Sequence, residues 1–490
     1  MHKFLSPYFT RFCITFLLIL LSVITAKGQE ILWAQKNNLD KKTDFTKVLG
    51  QNKHGIYVLK HKNSTFRKYF IVELFDRRMN LLRAKTIKIP NAELQKIIVL
   101  KDRVVFFTKT YEKGFTNGLT MQTLDTALVP DVPKNLLTGK VLSNDFPDFR
   151  IDYNNERDKF MIWYLTRSEK GTDINLQLME QLSITASRKI SVEYQPSEMN
   201  LEKTVISPKG HFYCMMSISK NFKSHKAADF TNLIMGIDMQ SGEMNEKTLT
   251  GPDTFLASGD MVYHPLTSTL HVTGYYGIKE DDENKGYFDI TFKNPQLDEG
   301  YRIFETIDRK FVAGIIGLKF EQKGENLSKF RVRKIIPKND GGVVLISERT
   351  FITTQSDIFY VNGIQQTNYA RIFNNDEVIL TSLDSNGKVI WNEVAFKNQS
   401  SVNDGGYYNG IVIMVNDDNI SLIYNDRLSA NADVIQISYR EDGSHHKKIL
   451  LNSDQYYALV IPAEYNQVTA NSTVLPISQS RDFTYIKLVY

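Results

Sequence analysis

Cysteine is almost absent from the chain: 490 residues hold two, Cys13 and Cys214. A disulfide framework is therefore excluded, and stability must come from core burial. Proline is also sparse, with 13 residues, and tryptophan more so, with three. Neither sign of charge dominates, since 60 Lys and Arg face 55 Asp and Glu. That balance gives no electrostatic case for nucleic acid or an anionic membrane surface as partner. The longest apolar run, Phe12 to Ile24, is 13 residues, short of the ~20 that a spanning helix needs. Catalytic signatures are missing as well. No G-x-S-x-G, no H-E-x-x-H and no phosphate loop occurs, and Thr138-Gly139-Lys140 is followed by Val141 where such a loop needs Ser or Thr.

The short apolar run has a reading of its own. Lys3 and Arg11 form a basic start, no acid precedes Glu30, and Ala26-Lys27-Gly28 places small residues before Gln29. This is the pattern of a secretory signal over residues 1–28. It predicts export to a periplasm, the cell surface or the exterior, with no stable membrane insertion after cleavage. Loss of Lys3, Arg11 and Lys27 with no acid takes the net charge from +5 to +2. Cys13 leaves too, and Cys214, inside the apolar run FYCMM, reads as a core thiol.

What remains is repetitive. A run with partial apolar–polar alternation recurs as FIVELFD (70–76), TMQTLD (120–125), INLQLME (174–180), LIMGID (233–238), IIGLKFE (315–321), VILTSLD (378–384), VIQISYR (434–440) and YIKLVY (485–490). Period-two alternation marks a half-buried strand. Continuous apolar runs precede most copies: IYVL at 56, VVFF at 104, FMIWYL at 160, FYCMM at 212, VVLI at 343 and ISLIY at 420. Four to six such residues, rich in β-branched and aromatic types, suit strands buried on both faces. After several copies come glycine turns, Ser241-Gly242, Asn386-Gly387 and Asp442-Gly443, each leading into a further strand. Asp384–Gly387 lacks the further ligands of a calcium loop and reads as a hairpin turn.

Repeats of this kind predict an all-β β-propeller of about eight (seven to eight) four-stranded blades, a single domain over 29–490. Eight copies give one per ~58 residues, longer than the ~40–50 of a simple blade, and an insertion near 277–310, containing Asp281-Asp282-Glu283, absorbs part of the excess. ILWAQKN at 31–37 resembles the outer-strand segment VIWNEVAFKN at 389–398. Residues 31–36 are therefore expected to pair beside 484–490 and close the ring, so that deletion of 29–38 lowers stability.

KIIPKNDGGVVLISE (334–348), LDSNGKVIW (383–391) and NDGGYYNG (403–410) resemble repeats of secreted bacterial β-propeller proteins, mainly in the C-terminal third. The resemblance implies fold and not activity. Outer-strand Trp recurs only at Trp33 and Trp391, and no WD dipeptide marks the blades.

Candidates for chemistry are few. Among nine His, only His445-His446 are adjacent, and neighbours on a strand point to opposite faces. His264 and His271 could meet across a hairpin as a surface pair without a third ligand. No metal or cofactor is expected, and no catalytic residue can be assigned. Tyr275-Tyr276 and Tyr407-Tyr408 stand out as aromatic pairs able to stack on a sugar or anchor a protein, with blade packing as the plainer reading. The expected protein is a monomeric, non-enzymatic binder of a protein or glycan through one face of the disk. The alternative is an extracellular hydrolase or lyase with its site at the central channel. A charged ring at the channel mouth would favour the enzyme, and an apolar or loop-plugged channel the binder.

Overall fold

The computed structural model describes residues 29–35, 45–61, 69–112, 115–138, 149–219, 229–251, 253–278, 284–317, 327–361, 364–429, 432–479 and 482–490. The signal-like segment and Asp281-Asp282-Glu283 lie outside them. The described strands form eight antiparallel sheets. Seven are blades of four consecutive strands, starting at Phe45–Asn52, Ala92–Val99, Arg150–Tyr153, Met199–Ile206, Thr254–His264, Phe330–Pro337 and Val412–Val415. In the eighth, Ala458–Val460 and Asn466–Thr469 share the first position, and the fourth strand is Glu30–Trp33 from the other end of the chain.

Burial follows position in the blade. Every residue of the second strands Gly55–His61 and Phe212–Ile218 is buried, because a sheet lying between two neighbouring sheets has no solvent face. All six apolar runs of the sequence fall on second strands. Fourth strands such as Ser183–Val192 and His445–Leu451 are largely exposed and form the rim. First strands of neighbouring blades touch one another, Thr254–His264 against Phe330–Pro337 among them, so they surround the axis.

Eight clusters of buried apolar side chains occur among the described residues, one at each junction between neighbouring blades. The last joins Val474 and Tyr485 of blade 8 to Val48, Ile56, Phe75 and Met79 of blade 1. Closure has the expected form. Glu30 pairs with Val489 and Trp33 with Ile486, antiparallel, and Trp33 stacks on Tyr456 with ring centroids 5.2 Å apart. Gln35 then donates its N–H to the Met79 carbonyl of blade 1 at 2.9 Å. Together these contacts make the chain an eight-bladed β-propeller.

Two expectations need correction. Residues 277–310 are not an insertion: Asn284–Phe292 and Glu299–Thr306 are the third and fourth strands of blade 5. Correspondingly, the copy assigned to 315–321 does not begin as a strand: Ile315 and Ile316 end the helix Arg309–Ile316, and 318–321 lie outside the described residues. Asp308 caps that helix by accepting from the N–H groups of Lys310 and Phe311, and Val312 buries itself at the junction of blades 5 and 6.

The two faces of the disk differ. One carries the turns between first and second and between third and fourth strands, and these are mostly short. Asp76, Asp125 and Asp384 each accept backbone N–H groups two and four residues on, at 2.7–2.9 Å. This Asx-turn chemistry explains why so many of the sequence copies end in Asp, and Gly387 supplies the positive φ, 79°, that the turn at 384 requires. The opposite face carries the long excursions: the helix Arg309–Ile316, the segment 396–411 between blades 6 and 7, and the outsized hairpin of Val343–Val361 and Ile364–Leu383. Binding surfaces concentrate where a rigid scaffold carries long loops, which directs attention to this looped face.

Candidate functional site

The first strands carry a shared irregularity. Six of them have a register shift against the second strand, at Leu49, Gln95, Glu202, Ala257, Arg333 and Val468. A bulge leaves one residue unpaired and re-aims its neighbours. In three blades the next residue is lysine: Leu94-Gln95-Lys96, Leu201-Glu202-Lys203 and Val332-Arg333-Lys334. The strands around the axis thus present charge at a repeated height, and these residues were missed in the sequence. Their signal was there, as LQKIIV, LEKTVI and VRKIIP.

Blades 4 to 6 concentrate the charge. Lys203 Nζ lies 3.3 Å from Asp260, Glu202 accepts from the Ser217 hydroxyl, and Arg331 donates to the Ala257 carbonyl. The surrounding wall pushes the Glu202 carboxyl up from its ordinary value even though water reaches it, against the pull of Ser217, Arg331 and Lys203. Burial likewise pushes Asp260 up, against Lys203. Lys334, half-buried, is lowered by burial, and no carboxylate among the described residues pairs with it. Desolvation favours the neutral form in each of the three. By number, Arg331, Lys203 and Lys334 exceed the two carboxylates Glu202 and Asp260 along this stretch.

Farther round, the same face is partly covered. The segment 403–410 crosses from blade 6 toward blade 1: Tyr408 offers its carbonyl to Asn425 of blade 7 at 3.0 Å, its hydroxyl lies 3.4 Å from Ser478 of blade 8, and Tyr407 packs on Phe45 of blade 1 with centroids 6.2 Å apart. A buried network holds the segment. Lys397 Nζ lies 2.8 Å from Glu348, which also meets Arg333 at 2.9 Å. Lys397 donates to Gln399, whose side-chain oxygen accepts from Gly410 N–H and whose amide donates to the Asn425 carbonyl. The wall therefore combines both expected features, charge on blades 4 to 6 and a loop over blades 7, 8 and 1.

The tyrosine candidates separate. Tyr275 is wholly buried between blades 5 and 6, its hydroxyl 2.5 Å from Ser347, and is a core residue, not a ligand-facing one. Tyr276 packs on Phe304 at 5.1 Å, in a strand and not a loop. Tyr407 and Tyr408 do lie in the covering segment, half-buried. Burial pushes the thiol of the enclosed Cys214 up to about 12, which removes it as a nucleophile at neutral pH.

His264 and His271 do meet, with ring centroids 5.6 Å apart, but in the interior and not on the surface. His271 Nδ1 is 3.3 Å from Asp289, which accepts from Tyr301 at 2.6 Å and from Thr273. His264 accepts the Thr267 N–H at Nδ1, so Nε2 carries the proton and donates to the Lys338 carbonyl of blade 6 at 2.9 Å. Burial lowers its pKa. In the unfolded chain His264 titrates near 6.5, so as pH falls below that value the unfolded state binds a proton the native state refuses, and stability drops. Denaturant midpoints measured between pH 7.5 and 5.5 are expected to fall with a steeper slope for the native sequence than for His264→Gln, by up to about 1 kcal/mol per pH unit.

On the turn face, a hollow of about 430 Å³ between blades 1 and 2 is lined by His54, Asp102, Arg103, Asp125 and Asp131. Its acids are occupied: Asp125 and Asp131 accept N–H groups of their own turn, and Asp102 pairs with Arg103 at 2.7 Å.

No family model matches the chain, and no curated protein matches it. Similar solved structures include the β-propeller domain of the Trilobed protease from Pyrococcus furiosus, 9% identical, covering 81% of this chain and 95% of that one, with a TM-score of 0.37. The Nup133 β-propeller domain of Vanderwaltozyma polyspora is 10% identical, covers 81% and 99%, and scores 0.40. Hydrazine synthase of Kuenenia stuttgartiensis is 13% identical, covers 48% of this chain and 61% of that chain, and scores 0.30.

Proposed function

We propose that the protein is an exported, non-enzymatic binding propeller of the secreted bacterial kind, and that its ligand is an anionic glycan held at the looped mouth of the channel. The observation that carries this reading is Lys334, half-buried beside Arg333 on a channel strand with no carboxylate paired to it among the described residues. Arg331 and Lys203 extend the cationic stretch, which the two carboxylates Glu202 and Asp260 offset only in part. Charge-assisted contacts to carboxylate or sulfate are strong and geometrically selective, above all from arginine. The signal-like residues 1–28 support a compartment where such polymers occur. Titration of an oligouronate by calorimetry is expected to give salt-sensitive binding, weakened about tenfold by Lys334→Met and more by Arg331→Gln. Absence of binding, or binding indifferent to both substitutions, would remove the reading.

One observation favours the enzymatic alternative: Glu202 and Asp260, on neighbouring strands, both have raised pKa, as a general acid requires. A hydrolase or lyase would release reducing ends or unsaturated sugars from the same oligouronate, and Glu202→Gln would stop it. Binding without any such product retains the binder.

A further inference from the structure

Past Arg349 and Asp376 the second and third strands of blade 6 leave the ring as a two-stranded ribbon, with Thr350 opposite Asn375 and Val361 opposite Ile364. Twelve residues at ~3.4 Å each give an arm of roughly 40 Å. A lone two-stranded hairpin is at best marginal in water, and stability comes with a third strand or a covered face. The register puts Ile352, Ile358 and Tyr369 on one face of the arm, where they are 52%, 60% and 65% exposed. One edge already accepts a strand near the base, where Gln399–Val402 pairs with residues 372–375. Beyond that point, neither edge has a partner strand among the described residues.

Exposed edges are ordinarily protected by lysine, proline or a bulge. Residues 350–375 contain no Lys and no Pro, and the ladder from Thr350 to Val361 runs without a register shift. Their only charges are Asp357 and Arg371. A segment this neutral has no field with which to select an oppositely charged partner, while high β-propensity and low charge favour pairing with a copy of itself.

We propose that the ribbon is a dimerisation arm whose free edge, 350–361, pairs antiparallel with the same edge of a second copy about a two-fold axis. Centred on Gln355, this pairing sets Asp357 opposite Thr353 and brings no charge against its like. It is isologous and closes at two chains, and it replaces the monomer expected from the sequence. About twelve residues a side is below the ~20–30 of a standard interface, so the dimer is weak, in the micromolar range.

Sedimentation velocity on the full chain, from about 1 to 100 µM, is expected to show a monomer–dimer equilibrium with its midpoint in that window. A variant with 350–375 replaced by a two-residue turn is expected to stay monomeric while melting within about 2 °C of the native chain. Gln355→Lys, which sets a lysine near the axis in both copies, is expected to move the midpoint up at least tenfold. Three results would overturn the proposal: a native chain monomeric throughout, a dimer that survives the shortened ribbon, or a monomer that instead sediments with phospholipid vesicles through the arm.

Discussion

Deletion of residues 29–35 is expected to lower the melting temperature by about 5–10 °C. The strand Glu30–Trp33 is the rim of blade 8, and the residues around it tie blade 8 to its neighbours. Ile31 and Trp33 pack into the junction of blades 7 and 8, while Leu32 and Ala34 pack into that of blades 8 and 1. At about 1–2 kcal/mol for each of these four side chains, their loss amounts to about 4–8 kcal/mol. Ala34 and Gln35 also donate N–H groups to Tyr485 and Met79 on either side of the seam. Ile486 and Leu488 would keep their inner contacts but lose the strand outside them. Differential scanning calorimetry decides the matter: a variant melting within 2 °C of the native chain would mean that this strand does not hold the ring.

Lys397→Met is expected to cost about 3 kcal/mol. Lys397 and Glu348 are both wholly buried at 2.8 Å, and removing one member of such a pair strands the other charge. Arg333 still reaches Glu348 at 2.9 Å, which places the cost at the lower end of the usual ~3–5 kcal/mol. Glu348→Gln combined with Lys397→Met is expected to recover most of the loss, since neither charge is then left alone. Burial already lowers the Lys397 pKa against the pull of Glu348, which marks how much solvation the ammonium has given up. Urea denaturation of the two variants checks the difference; equal losses in both would mean that the pair is not coupled.

Much of the ring could be read from the chain because second and third strands have unambiguous chemistry. Runs such as VVFF and FMIWYL admit little but strands enclosed on both sides, and seven of the eight assigned copies fall on third strands. Blade 5 escaped because its second strand, Thr269–Ile278, interrupts the apolar run with His271, Thr273 and Gly274. His271 and Thr273 are satisfied by Asp289, which Tyr301 also reaches with its hydroxyl, an arrangement that only tertiary structure brings about. The helix at 309–316 misled for the opposite reason, since Ile315-Ile316 followed by Gly317 looks like a strand when Asp308 is not recognised as a cap. The channel residues were harder still. Lys96, Lys203 and Lys334 sit far apart in sequence, and although LQKIIV, LEKTVI and VRKIIP share a pattern, only the bulges of the folded ring bring the three lysines to a common height.

A disk with terse aspartate bends on one side and, among the described residues, its longest excursions on the other divides its surface into a frame and a canvas. The bends fix blade geometry through their own backbone, so altering them should damage the whole ring. Lengthening or exchanging 403–410 or the ribbon would leave the frame untouched. Lineages built on this architecture should therefore diverge in recognition while keeping their shape, and the underside is where a tether or fluorophore can be attached without obstructing what the protein grips.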